Sequence, residues 1–222
     1  MSVPFRFSGS VTVTNKGIAL IPTFSLGKPA ALFNFSLTKN RLSFEPQLRY
    51  NLEDRKPWNF IFWVKYKLVQ QRKFKLAVGA FSSLVFKNTP VIINGNNQEA
   101  MTTTRFLIGE LIPTYTVAKN TTIGLYYMYT HGLDPTAPTM NLLSFTTTFT
   151  KIELGKKFVL RASPQVYYLN VQQLQDGFYF NGNLSLFKKG FPLSVSSIVN
   201  KAIRSNLNAK DFNWNIGLTY SY

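Results

Sequence analysis

The sequence predicts an all-β fold, a closed antiparallel transmembrane β-barrel of about twelve strands, and three observations carry that reading. Apolar and polar residues alternate with period two along almost the whole chain. Aromatic residues reach 15% and charged residues also only 15%, against roughly 25% charged in soluble domains. Mean hydropathy is nonetheless close to zero, and no stretch approaches the ~18 consecutive apolar residues of a spanning helix. A barrel reconciles these features, because outward apolar and inward polar residues cancel along the sequence.

The alternation test gives strands near 17–26, 30–38, 42–52, 58–70, 73–87 and 102–118, then 121–131, 140–153, 157–171, 177–187, 192–203 and 212–222. In the third, Leu42, Phe44, Pro46, Leu48, Tyr50 and Leu52 oppose Ser43, Glu45, Gln47, Arg49 and Asn51. In the fourth, Trp58, Phe60, Phe62, Val64, Tyr66 and Leu68 oppose Asn59, Lys65 and Lys67, with Ile61 and Trp63 as exceptions. Pro22, Pro46, Pro113 and Pro164 each remove a ladder donor, so bulges or weakened pairing are expected there. Residues 4–14 alternate as well, and counting them would give thirteen strands. Single-chain barrels generally have an even number, with both termini at one end. Residues 1–16 are therefore assigned to an N-terminal extension or lumen segment and 17–222 to the barrel; ten or fourteen strands satisfy the same rule.

The net charge of +16 raises nucleic acid as a partner. The basic residues recur at regular intervals rather than clustering, so no nucleic acid is expected. The connections explain the spacing. A short set, 15–17, 39–41, 71–73, 119–120, 155–157 and 188–190, is rich in Lys and Arg and holds no acid. A longer set, 27–30, 51–57, 88–101, 132–139, 172–176 and 204–211, carries Glu53, Asp54, Glu99, Asp134, Asp176 and Asp211. There is no cysteine and a single histidine, His131, which excludes a disulfide scaffold, a thiolate nucleophile and a Cys/His zinc site. No metal site or cofactor is expected. The first residues show no apolar secretory core and already alternate like a strand, so an exported protein would be seen here without its signal peptide.

The last strand, Asn213-Trp214-Asn215-Ile216-Gly217-Leu218-Thr219-Tyr220-Ser221-Tyr222, is the cleanest of all. It resembles the C-terminal aromatic assembly signal of bacterial outer-membrane β-barrel proteins of the porin-like class, with Trp214, Ile216, Leu218, Tyr220 and Tyr222 in the signal positions. The resemblance implies a multi-pass barrel in the bacterial outer membrane. It also implies contact with outer-membrane lipids including lipopolysaccharide, insertion by the barrel assembly machinery, and possible partnership with other outer-membrane subunits. In this class the short turns face the periplasm and the longer loops the exterior.

Charges on a lipid face are costly, so Glu45, Gln47, Arg49, Lys65, Lys67, Glu110 and Arg161 are expected to line the lumen. Tyr50, Trp58, Tyr66, Trp214, Tyr220 and Tyr222 fit interfacial aromatic girdles. The residues leave two non-enzymatic roles open: a small-solute channel, or a membrane-embedded subunit of an envelope complex. The alternative is a lipid hydrolase, of lipase or lipid A deacylase type, using His131 and Ser144, since a base beside a serine is the minimum such chemistry requires. The compact His-x-Ser motif of lipid A deacylases is absent, because Leu133 occupies the serine position. A soluble lipocalin-like carrier would require a polar exterior, against the observed pattern.

Overall fold

The computed structural model describes residues 4–93, 96–172 and 174–222, except for the side chains of 91–98. Among the described residues, twelve strands close into one antiparallel barrel, each paired with its sequence neighbours and the first with the last. The first half comprises β1 (Arg6–Thr14), β2 (Ala30–Lys39), β3 (Leu42–Asn51), β4 (Lys56–Gln70), β5 (Phe74–Ile93) and β6 (Asn96–Ala118). The second comprises β7 (Thr121–Gly132), β8 (Met140–Leu154), β9 (Phe158–Val171), β10 (Gln175–Lys188), β11 (Leu193–Ser205) and β12 (Phe212–Ser221).

The strand count agrees with the sequence reading, but its first member does not. Arg6–Thr14 is a wall strand rather than an extension: Val11 pairs with Phe33 on one side and Tyr220 on the other. Without β1, the edges of β2 and β12 would be left as open rows of unpaired backbone groups, which a hydrocarbon environment does not tolerate. Residues 17–26 are not a strand. Ile18, Ala19, Leu20 and Ile21 are apolar on both alternation phases, so they offer no polar lumen face, and Pro22 begins a single 3₁₀ turn, Pro22–Phe24. One segment entered the barrel and one left it, so the even number survived. Met1–Val3 of the expected extension lie outside the described residues.

Pro46, Pro113 and Pro164 interrupt the ladder as expected, whereas Pro22 lies in the 3₁₀ turn outside the wall. Pairing of β2 with β3 passes from Asn34↔Gln47 to Leu37↔Phe44, skipping Pro46. It passes from Leu111↔Tyr127 to Thr114↔Gly124 around Pro113, and from Thr146↔Gln165 to Phe149↔Ala162 around Pro164.

Side chains alternate across the wall. Val13, Val64, Tyr66, Leu125, Leu143, Ile216 and Leu218 are exposed on the outer face, whereas Phe81, Ile108, Met128, Leu142 and Leu169 point inward and are buried. Short turns at 40–41, 71–73, 119–120, 155–157 and 189–192 gather at one end with the start of β1 and the end of β12. Lys39, Lys73, Lys119, Lys157 and Lys189 lie there. Glu53, Asp134 and Asp211 lie at the other end. Lys16 does not belong to the short-turn set: with β1 in the wall, residues 15–29 form one long connection at the opposite end. The β5–β6 ribbon projects from that end, pairing on to Ile93↔Asn96 after β4 has stopped at Asn59↔Val85 and β7 at Phe106↔Gly132.

At the same end Asp134 clamps Arg105. Its carboxylate accepts from the Arg105 backbone N–H at 2.6 Å and from Nη2 and Nε at 2.6 and 3.0 Å. These hydrogen bonds, the side-chain ones foremost, hold the Asp134 carboxyl below the usual carboxylate range. Since folding depresses this pKa, the clamp's stabilisation is present above the unfolded carboxylate pKa and is lost as pH falls through the folded one. An NMR titration of the Arg105 amide should show its midpoint below the ordinary aspartate value. A midpoint at or above that value would contradict the clamp.

Candidate functional site: the occluded lumen

Two layers of inward side chains line the barrel. The layer towards the long loops is apolar and is completed by the 15–29 connection, which folds back into the lumen. Gly27, at φ +72°, turns the chain, and Gly17 lets it pass the Trp58 ring, where a Cβ would lie 2.8 Å from a ring carbon. Ile21 joins Phe81, Val85, Phe106, Ile108, Met128, Met140, Leu142, Tyr167, Leu169, Tyr179 and Leu207 in one buried cluster, with Leu20 and Phe24 packed against it. The phenyl ring of Phe24 sits 5.3 Å from that of Phe106. Polar groups of the wall then satisfy the inserted backbone. Tyr167 Oη donates to the Leu20 carbonyl at 2.8 Å, Trp58 Nε1 to that of Phe24 at 3.0 Å, and Asn215 Nδ2 to that of Lys16 at 2.9 Å. Outside, Lys28 bridges Glu53 and Asp54 at 3.1 and 3.3 Å. These contacts come from β4, β6, β9 and β12, so the segment is anchored to several sides of the lumen.

The layer towards the short turns is polar. Lys65 Nζ lies 3.2 Å from a Glu45 carboxylate oxygen and 3.9 Å from one of Glu110, and Ser43 Oγ donates to Glu45 at 2.8 Å. Nearer the long loops, at the border of the apolar layer, Arg49 stands opposite Asn59, and its Nη2 donates to Gln47 Oε1 at 2.7 Å. Further round, Ser144 and Thr146 hydroxyls both donate to Gln165 Oε1 at 3.1 Å, and Gln165 Nε2 donates to Asn181 at 3.0 Å. Among the described residues no group of three His, Cys, Asp or Glu gathers as a metal site would require.

The structure thus brings Glu45, Gln47, Arg49, Lys65 and Glu110 together on the inner face of β3, β4 and β6. Arg161 shares the inner face but is exposed, its guanidinium 5.3 Å over the Phe187 ring. Lys67 is exposed beside the short-turn end. Tyr66, Trp214, Tyr220 and Tyr222 are exposed on the outer surface, and Tyr50 lies there against Phe33 and Phe60. Trp58 is a correction: it is 3% exposed and faces inward. A register shift at Arg49/Tyr50 puts Pro57 opposite Tyr50 and displaces Trp58 from the outer face its alternation suggested. Trp214, Ile216, Leu218, Tyr220 and Tyr222 point outward along the seam strand that joins β1.

His131 and Ser144 do not meet. Thr130 and Met128 point inward and are buried, so His131, between Thr130 and Gly132, is exposed on the outer side. Ser144 is fully buried on the inner face. Opposite faces of one wall cannot form a base–nucleophile hydrogen bond.

No protein-family model matches the sequence, and no curated protein sequence matches it. Solved structures do match in fold. The KdgM porin in complex with disordered oligogalacturonate superposes with a TM-score of 0.61 at 12% identity, covering 97% of this chain and 99% of that one. The NanC porin gives 0.57 at 9% identity, covering 96% and 98%. LpxR from Salmonella typhimurium gives 0.54 at 9% identity, covering 97% and 99%. The closed twelve-stranded wall, the alternating faces and these likenesses agree: the chain has the porin-like fold of bacterial outer-membrane β-barrels.

Proposed function

We propose that the chain is a non-enzymatic, multi-pass barrel of the bacterial outer membrane whose resting lumen is closed, and that it serves as a membrane-embedded subunit of an envelope assembly rather than as an open channel. The observation that carries this reading is the insertion of residues 18–26 into the apolar layer, with Ile21 buried at 7% exposure. Burying each large apolar side chain there stabilises the closed form by roughly 1.5–3 kcal/mol. The separation of His131 from Ser144 argues against the hydrolase alternative. In this reading the basic short-turn end faces the periplasm, where its lysines sit beside anionic headgroups. The outer wall contacts lipopolysaccharide, and β12 is the strand the assembly machinery reads.

A small-solute channel is the second reading, favoured by the polar layer around Lys65 and by the porin-like fold. Proteoliposome swelling separates the two. Wild-type protein should give no swelling with a pentose above protein-free vesicles. Swelling at a rate that scales with protein content would establish the channel.

A further inference from the structure

Beneath residues 19–24 the lumen holds a cavity of about 150 Å³, bounded by Ile21, Phe24, Trp63, Phe81, Phe106 and Met128. A volume of about 150 Å³ is the scale at which an apolar protein cavity takes up a benzene-sized guest. Its wall is not uniformly apolar. Arg49, Asn59, Trp63 and Thr130 also line it. Of these, Arg49 Nε, Asn59 Oδ1, Trp63 Nε1 and Thr130 Oγ1 are buried with no hydrogen-bond partner among the described residues. Asn59 and Thr130 are themselves only 3% and 1% exposed.

The placement follows from register. Thr130, Ile108, Phe81 and Trp63 form one row across β7, β6, β5 and β4, and Arg49 stands opposite Asn59 on β3 and β4. Three of the four orphaned atoms, the two N–H groups and the hydroxyl, can donate to an anion. Among the described residues no carboxylate lies within ion-pair distance of Arg49. Its guanidinium bonds Gln47 and lies 5.5 Å over the Trp58 ring, while Lys65 pairs with Glu45 at 3.2 Å and stands 3.9 Å from Glu110, whose carboxylate oxygens have no hydrogen-bond partner among the described residues. A guanidinium in an apolar layer is costly until an anion meets it, and arginine suits a carboxylate better than any other side chain does.

We infer that this cavity is a binding site for a small aromatic monocarboxylate. Its ring packs among Phe81, Phe106 and Met128, and its carboxylate accepts from Arg49 Nε with Trp63 and Thr130 as further donors. Asn59 Oδ1 accommodates a ring hydroxyl. The inference concerns what the closed lumen holds, and it stands whether the barrel serves as a subunit or as a gated channel.

The probe is benzoate, titrated by calorimetry into the full chain in lipid nanodiscs, so that no detergent competes for the apolar space. Wild type should bind one benzoate per barrel saturably, and Arg49→Gln should weaken it about tenfold or more, as loss of a charge-assisted hydrogen bond does. Benzyl alcohol, with the same ring and no charge, should bind wild type more weakly by a similar factor. Ser83→Leu fills the cavity from β5 and leaves Arg49 in place; it should abolish binding. If Arg49→Gln does not refold, Ser83→Leu decides alone. Absence of saturable binding to wild type, with water meeting the polar atoms instead, overturns the assignment. So does unchanged benzoate affinity in either folded variant.

Discussion

Replacing residues 18–26 by a glycine–serine run of equal length should turn a silent barrel into a conducting one. The replacement leaves the wall untouched, because the β1–β2 ladder runs from Thr14↔Ala30 to Arg6↔Thr38 without using the inserted segment. It removes Ile21 from the apolar cluster and Phe24 from its contact with Phe106. Tyr167 Oη and Trp58 Nε1 lose the carbonyls they bond and turn to water, which enters a lumen no longer sealed. Planar-bilayer recordings should then change from baseline to discrete steps. Anions should be weakly preferred, since Arg49, Lys65 and Arg161 face Glu45 and Glu110 across the inner surface. Continued silence from correctly folded variant protein would place the block elsewhere.

Gly79→Val should destabilise the barrel by about 3 kcal/mol, the combined scale of overpacking and of disturbing a buried ion pair. Gly79 lies between Lys65 on β4 and Glu110 on β6 in the same row. A Cβ at position 79 would collide with a Glu110 carboxylate oxygen and would lie 2.7 Å from its Cγ. The Glu110 side chain is 1% exposed and reaches Lys65 across the space that the glycine leaves. Urea unfolding in lipid vesicles measures the loss. Because Gly109, next along β6, has nothing within 4 Å of its virtual Cβ, Gly109→Ala is the control and should cost less than about 1 kcal/mol. Equal losses at the two positions would show that Gly79 has no special role.

The alternation of the wall was legible because it follows directly from strand geometry: every second side chain must meet the outer surface. Leu218, Tyr220 and Val64 needed nothing else to be placed outward, and Lys65 and Gln47 nothing else to be placed inward. Trp63 and Ile61 looked like exceptions on β4 until the apolar layer gave them a reason to face inward. What failed was the assumption that every apolar segment belongs to the wall. Residues 18–21, apolar on both phases and followed by Pro22, suit a segment surrounded by side chains on every side. The glycines at 17 and 27 mark its entry and exit. Trp58 failed for a related reason: a register shift at Arg49/Tyr50 is invisible to alternation, and only the docking of Phe24 reveals the partner of its indole N–H. The ion pairs of Lys65 were equally hidden, since Glu45 and Glu110 are far from it in sequence and only strand register joins them.

Single-cysteine labelling tests the occluded lumen most directly, and the absence of native cysteine leaves no background. Three variants suffice: Ile21→Cys in the inserted segment, Asp134→Cys in a long loop and Lys157→Cys in a short turn. In whole cells, Asp134→Cys should react quickly with a membrane-impermeant maleimide and Lys157→Cys should react only once the outer membrane is opened. Ile21→Cys should stay protected under both conditions and become reactive only on unfolding. Labelling of Ile21→Cys in the folded barrel as fast as Asp134→Cys would contradict the closed lumen on which the functional reading depends.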